Sequence, residues 1–296
     1  MTLKQLRSRV KSIKSTQKIT KAMQLVSAAK LAKVKNQIVN SGYYVEAIQK
    51  MMATILSSNN IYNLSEEDQK FFLREQQNKS LENKSHLLIV LTSERGLCGT
   101  FNSSIIKQVK TDITKLENKG AQIKLIIVGK KGYEVLKKKY SNYIDSYFEL
   151  SKTLDEKLLF QIKQKIMTAV ENSEISHCSI YFNKFKNAMI QITTTQQILP
   201  VEQYTEIKEE KAINSLYEYE GENLIANMIN LYVNSQVNYA LLQNMASEEG
   251  ARMTAMENAT NNAHDIIDKL TLKLNRSRQA IITNELIEII SGAEAI

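Results

Sequence analysis

The chain has 296 residues, 43% of them hydrophobic and 24% charged, the balance of a soluble globular protein long enough for one large or two ordinary domains. Two distant cysteines, Cys98 and Cys178, and three isolated histidines, His86, His177 and His264, exclude a disulfide framework and supply no zinc-ligand spacing. A net charge of +8 leaves three classes of acidic partner open: nucleic acid, anionic lipid and acidic protein surface.

The first predicted element is a helix from Leu3 to about Ile55, a stretch without proline whose first glycine is Gly42. Alternate steps of three and four give Leu3, Leu6, Val10 and Ile13, then Gln17, Thr20, Gln24 and Ser27, then Leu31, Val34, Ile38, Ser41, Val45, Ile48, Met52 and Ile55. The two ends carry a coiled-coil seam. The middle does not. There the seam is polar, and Ile19, Ala22, Met23, Leu25, Val26, Ala28 and Ala29 spread apolar surface around the helix, which predicts contact on several faces. Eleven basic residues between Lys4 and Lys50 face one acid, Glu46. The segment is basic and amphipathic, as some transit peptides are, but its pattern runs on unbroken, so it reads as mature structure. No secretory signal is expected, and no apolar run reaches the length of a membrane span.

Residues 58–85 are polar and read as a linker. The pattern then changes to continuous apolar strands alternating with helices. His86 to Thr92 and Ile123 to Val128 read as buried strands, followed by helices from Phe101 to Leu116 and Tyr133 to Tyr140. A further helix fits Thr153 to Asn172, and strands fit Cys178 to Phe182 and Met189 to Ile198. Such alternation predicts a parallel or mixed sheet covered on both faces, a small Rossmann-like α/β domain over residues 86–200. The single proline, Pro200, closes it, and residues 201–221 form a connector.

The last element is the longest. Glu222 to Ile290 contains no proline, and a stripe runs from Met228 through Tyr232, Ser235, Tyr239, Leu242, Ala246, Glu249, Met253, Met256, Thr260, Ala263, Ile267, Leu270, Leu274 and Ser277 to Ile281. At 1.5 Å per residue this helix is on the order of 100 Å long, and the first about 80 Å. Two such helices at opposite ends of one chain pair most simply as an antiparallel coiled coil with the α/β domain inserted between them. The longer one outruns its partner and leaves a single helix at its tip. There Arg278, Gln279, Thr283 and Glu285 lie among Ile281, Ile282, Leu286 and Ile287, and no narrow face holds all the polar groups. A helix that is both apolar and hydrogen-bonding all round is one that is contacted all round.

No catalytic constellation emerges. Ser93 or Ser103 with His86 lacks a third member, and no histidine accompanies Cys98 in the pattern. The turn Gly96-Leu97-Cys98-Gly99 before a helix suggests a phosphate site, but G-x-G-x-x-G, the lysine-serine pair of a P-loop and an acid closing the next strand are all missing. A tight turn that packs helix on sheet explains it better, and the run Gly129-Lys130-Lys131-Gly132 reads as a basic surface turn. Acids of the last helix read as a solvated polar face. The helical methionines (Met23, Met51, Met52, Met228, Met245, Met253, Met256) read as core or adaptable contact surface.

Three groups of residues carry a resemblance. The first is Ser15-Thr16-Gln17-Lys18-Ile19-Thr20-Lys21-Ala22-Met23, with Lys30, Lys33 and Lys35 after it. The second is Ser93-Glu94-Arg95-Gly96-Leu97-Cys98-Gly99 with Phe101-Asn102. The third is Ser247-Glu248-Glu249, Ala251-Arg252-Met253, Ala255-Met256, Ala259-Thr260-Asn261 and Arg278-Gln279-Ala280-Ile281-Ile282-Thr283 with Glu285 and Ile289. In this order, over essentially the whole chain, the sequence resembles the gamma-subunit family of F-type ATP synthases. The resemblance implies a non-catalytic central-stalk rotor that couples proton translocation to ATP synthesis or hydrolysis on the beta subunits. It implies three alpha and three beta subunits, the epsilon subunit and the membrane c-ring as partners, and neither cofactor, metal nor nucleic acid. Attachment to the membrane is then peripheral, through the c-ring, at the cytoplasmic face of a bacterial membrane or, alternatively, the matrix face of the mitochondrial inner membrane. Arg252, Gln279, Thr283 and Glu285 resemble contacts to a beta-subunit loop; Met23, Lys30, Lys33 and Lys35 resemble the surface met by the acidic lever of beta. Tyr217 and Glu218 match a tyrosine-glutamate pair on the epsilon and c-ring side. The chloroplast type carries a regulatory dithiol, whereas Cys98 and Cys178 form no such pair, so no thiol switching is expected.

Overall fold

The computed structural model describes residues 2–58, 71–72, 85–151, 155–201 and 224–294. Two compact units account for the chain: Lys30–Ala251, and Met1–Ala29 with Arg252–Ile296. Helix α1 (Leu3–Ser58) and helix α5 (Leu224–Glu294) each contribute to both.

The unit Lys30–Ala251 is built on a five-stranded sheet: β1 (Ser85–Leu91), β2 (Gln122–Val128), β3 (Ile144–Phe148), β4 (His177–Phe185) and β5 (Gln191–Leu199). The spatial order is β3-β2-β1-β4-β5. The first four strands run parallel, with Ile89 beside Ile126 on one side and Ile180 on the other, and β5 returns antiparallel to β4. Helices α2 (Phe101–Glu117), α3 (Lys130–Tyr140) and α4 (Glu156–Glu171) fill the connections.

Alternation along each strand divides two cores. Leu87, Ile89, Leu91, Ile126, Val128, Ile180 and Phe182 face α4, the end of α1 and the first half of α5. Leu88, Val90, Leu125, Ile127 and Tyr181 face α2 and α3. This is why β1 and β2 read as unbroken apolar runs: a strand buried on both faces has no polar side to show. The helices bury one stripe each, Phe101, Ile105, Ile106, Val109 and Ile113 in α2 and Leu158, Ile162, Ile166 and Val170 in α4. Asp155 caps α4, its carboxylate accepting the Lys157 N–H at 3.0 Å.

Strand β3 was not expected. Its sequence, Ile144-Asp145-Ser146-Tyr147-Phe148, is short and carries two polar residues, and it lies at the sheet edge beyond β2 with a single strand neighbour. The other strands and helices lie within a few residues of their expected bounds.

In the same unit α1 and α5 run antiparallel. Val34 packs on Leu242 and Ala246, and Lys30 Nζ lies 3.1 Å from Glu249 Oε1. Packing here overturns one expectation: Glu248 is buried and the Glu249 side chain nearly so, not part of a solvated face.

In the unit Met1–Ala29 with Arg252–Ile296, the helices again pair antiparallel, with the Thr20 and Thr260 hydroxyls 2.8 Å apart across the seam. On α1, Leu3, Leu6, Val10, Ile13, Gln17, Thr20, Gln24 and Ser27 are all buried or half-buried. From Asn261 to Ser277 on α5, the residues that escape full exposure are Ala263, Ile267, Leu270, Leu274 and Ser277, the expected seam. Ile281 is the exception. It was placed on the seam but is exposed, because pairing that sets Thr20 against Thr260 brings Leu3, the start of α1, opposite Ser277.

Candidate functional site

The unit Met1–Ala29 with Arg252–Ile296 presents two apolar zones that its own chain leaves uncovered. On α1, Ile19 and Leu25 are each 60% exposed and Val26 nearly as much, while Met23 is half-buried beside the seam. Local sequence explains this. The seam here is Gln17, Thr20, Gln24 and Ser27, so the small polar side turns to α5 and the larger apolar residues turn outward. Few soluble surfaces group apolar side chains in this way without something to cover them.

The second zone is the end of α5. Every residue from Arg278 to Gly292 is exposed. Ile281, Ile282, Leu286, Ile287, Ile289 and Ile290 occupy more than one side of the helix, and Ile289 reaches 68%. Gln279, Thr283 and Glu285 stand among them, all exposed. The Thr283 hydroxyl donates back to the Gln279 carbonyl at 2.9 Å, which leaves the Gln279 amide and the Glu285 carboxylate as the outward polar groups.

Other candidate residues are placed differently. Arg252 is only 6% exposed and takes part in this chain's own packing. Lys30 is held by Glu249, whereas Lys33 and Lys35 extend from the exposed side of α1. A row of cations, Arg7, Lys11, Lys14 and Lys18, lines a hollow of about 390 Å³ closed on one side by Leu274. Tyr217 and Glu218 lie outside the described residues.

The turn after β1 is folded on itself. Asn102 accepts the Ser93 N–H at 2.9 Å and donates to the Ser93 hydroxyl at 2.7 Å, and Ser93 in turn donates to the Arg95 carbonyl at 2.6 Å. Glu94 accepts the backbone N–H of Lys130 and of Leu150, joining three loops at the carboxyl edge of the sheet. Gly129 has φ +98°, and a Cβ there would stand 2.3 Å from the Thr92 carbonyl oxygen, so the β2–α3 turn admits no side chain. These loop groups are spent on the fold. Burial pushes the Cys178 thiol far above its ordinary value, so it stays protonated and inert.

Gln17, Thr20 and Ile19 were legible as unusual because a heptad pattern was broken at them. The burial of Glu248 and Arg252 was not: in sequence they are charged residues on a long helix, and only three-dimensional neighbours distinguish them from solvated ones.

Residues 2–296 match the family model described as ATP synthase. The chain is 70% identical over 294 residues to the ATP synthase gamma chain of Rickettsia felis and 65% identical to that of Rickettsia prowazekii, with 99% of each chain covered in both cases. Among solved structures it is similar to a chain of the central stalk and c-ring of the Tetrahymena thermophila mitochondrial ATP synthase, at 28% identity and TM-score 0.59, covering 81% of this chain and 99% of that one. It shares its fold with a chain of the Euglena gracilis mitochondrial ATP synthase, at 20% identity and TM-score 0.67, covering 99% of this chain and 94% of that one.

Proposed function

The chain belongs to the ATP synthase gamma-chain family, and from that premise we propose that it is the non-catalytic rotor of the enzyme's central stalk, turning inside a ring of alpha and beta subunits. The observation that carries this reading is the pair of uncovered apolar zones, Ile19 to Val26 on α1 and Ile281 to Ile290 on α5. A ring of subunits covers a helix on all sides in a way that a single flat partner does not.

Rotation requires contacts of two kinds. Apolar side chains at the tip make few directional bonds, so the tip can turn in an apolar collar without locking at one angle. Polar and charged groups supply the differential affinity by which each orientation favours another conformation of three otherwise equivalent beta subunits. Gln279, Thr283 and Glu285 are the groups that would meet a beta-subunit loop at the tip. Met23, Lys33 and Lys35, with Lys30 where Glu249 releases it, would meet the acidic lever. Arg252, being buried, would act mainly by holding α5 in position.

The chemistry of ATP belongs in this reading to the beta subunits, and the α/β domain with its adjoining helices forms the foot on the epsilon subunit and the c-ring. Attachment to the membrane runs through the c-ring at the cytoplasmic face; among the described residues no helix is long and apolar enough to cross a membrane.

Co-purification with the alpha and beta subunits tests the reading. We expect a stable assembly, with hydrolysis that depends on this chain. An alpha–beta ring that forms and works equally well without it would overturn the proposal.

A further inference from the structure

Open sheets of this topology bind their ligands outside the carboxyl ends of the strands, where the strand order reverses. In the order β3-β2-β1-β4-β5 that point lies between β1 and β4. Here the crevice is occupied by the chain's own helix. Ala240 and Leu241 of α5 belong to the core on one face of the sheet, and Ala251 to the core on the other, so α5 crosses the carboxyl edge between them.

The crossing is held by polar groups. Asn183, 1% exposed near the end of β4, spends all four of its hydrogen-bonding groups there. Its backbone N–H donates to Asn244 Oδ1 at 3.3 Å, and its carbonyl accepts the Ser247 hydroxyl at 2.7 Å. Its side-chain amide donates to the Phe101 carbonyl at 3.0 Å and accepts the Thr193 hydroxyl at 2.8 Å. Two residues on, the Phe185 N–H donates to Gln243 Oε1 at 2.9 Å. One turn beyond Ser247, a Cβ on Gly250 would come within 3.1 Å of the Phe185 ring, so a larger residue there would press on that ring. On another side the same stretch of α5 is held by Val34 and by the Lys30–Glu249 pair.

Gln243, Asn244 and Ser247 are therefore polar residues buried in a helix, with partners that are backbone atoms of a strand about sixty positions earlier. Adhesion alone does not need this arrangement, since apolar packing resists separation. Directional bonds to the backbone resist something else, namely the sliding and twisting of a helix against a sheet edge. We propose that Asn183 with Gln243, Asn244 and Ser247 forms a torque clamp, in which the switch-point crevice of the α/β domain grips the shaft helix so that the two turn as one body. Asn183 is a positioning residue in this scheme, acting through α5. The inference rests on the rotor reading and adds the place where force passes from domain to shaft.

Membrane vesicles carrying the complete enzyme, with variants of this chain, test it. Ser247→Thr and Ser247→Val have nearly equal bulk and differ in the hydroxyl. The clamp predicts equal ATP hydrolysis in both, with protons pumped per ATP preserved in the threonine variant and lowered in the valine variant. Gln243→Ala should lower the same ratio, and exchange of the Phe185 amide should rise about tenfold as it loses its buried acceptor. Asn183→Ala gives the largest effect if it folds, but the test does not depend on it. Faster amide exchange with an unchanged pumping ratio would overturn the clamp while leaving the rotor intact. Failure of the unaltered chain to assemble with its ring would instead overturn the rotor reading.

Discussion

Met23 shows what one residue can carry. It is half-buried at the border of the polar seam, with Ile19 and Val26 exposed nearby and Lys21 and Lys30 on the same helix. A lysine at this position adds a cation where an acidic lever would approach, and so strengthens one orientation over the others. Met23→Lys should therefore lower coupling, read as protons pumped per ATP, by more than it lowers assembly. Unchanged coupling would show that the lever meets another surface. The Cys178 thiol gives a second residue-level test: being fully buried with its ionisation pushed up, it should resist alkylation in the folded chain and react on denaturation. A third concerns Asp145. Burial opposes its ionisation, but hydrogen bonds from Ser146 and Lys165 and the charges of Lys165 and Lys124 outweigh that and hold its carboxyl below the ordinary range. A depressed folded value stabilises the fold above the ordinary carboxylate range and loses that contribution as pH falls through the depressed value. Lys165→Met should thus cost a little stability at neutral pH, and the difference from the parent chain should vanish in acid. A difference that persists below that window would mean that Lys165 acts by packing.

At the scale of elements, the coiled coil was open to reading and the sheet edge was not. Each α1 seam position from Leu3 to Met52 is buried or half-buried, because a two-helix seam follows from a period of 3.5 and from nothing distant. Strands β1 and β2 were equally plain, since burial on both faces demands unbroken apolar runs. Strand β3 was hidden by its edge position, and the grip of Gln243, Asn244 and Ser247 by the kind of partner they have. A backbone carbonyl leaves no mark in the sequence. The elements also differ in what they contribute to stability. Ile105 is fully enclosed between α2 and the sheet, so Ile105→Ala should cost about 2–5 kcal/mol in denaturant unfolding. Removing every residue after Ser277 should change the stability of the free chain by less than about 0.5 kcal/mol, because no described residue beyond it is buried. The same truncation should weaken retention in the ring. A marked loss of intrinsic stability would contradict the picture of the tip as a contact surface for other chains.

For the molecule as a whole, the division of labour follows from where polar groups are spent. In the unit Lys30–Ala251 they are turned inward: Glu94 and Thr92 tie loops, Asn183 ties sheet to helix, and Glu249 ties α5 to α1. In the unit Met1–Ala29 with Arg252–Ile296, the apolar residues of two zones, Ile19 to Val26 and Ile281 to Ile290, are turned outward instead. The first arrangement suits a body that must stay rigid under load, and the second a surface completed by other chains. Rotation of this chain within its ring can be watched on single assemblies. With a rod fixed to the α/β domain and the alpha and beta subunits held on a surface, ATP should drive rotation in one direction, with pauses at evenly spaced angles. ATP hydrolysis beneath a stationary rod would show that the chain is not a rotor.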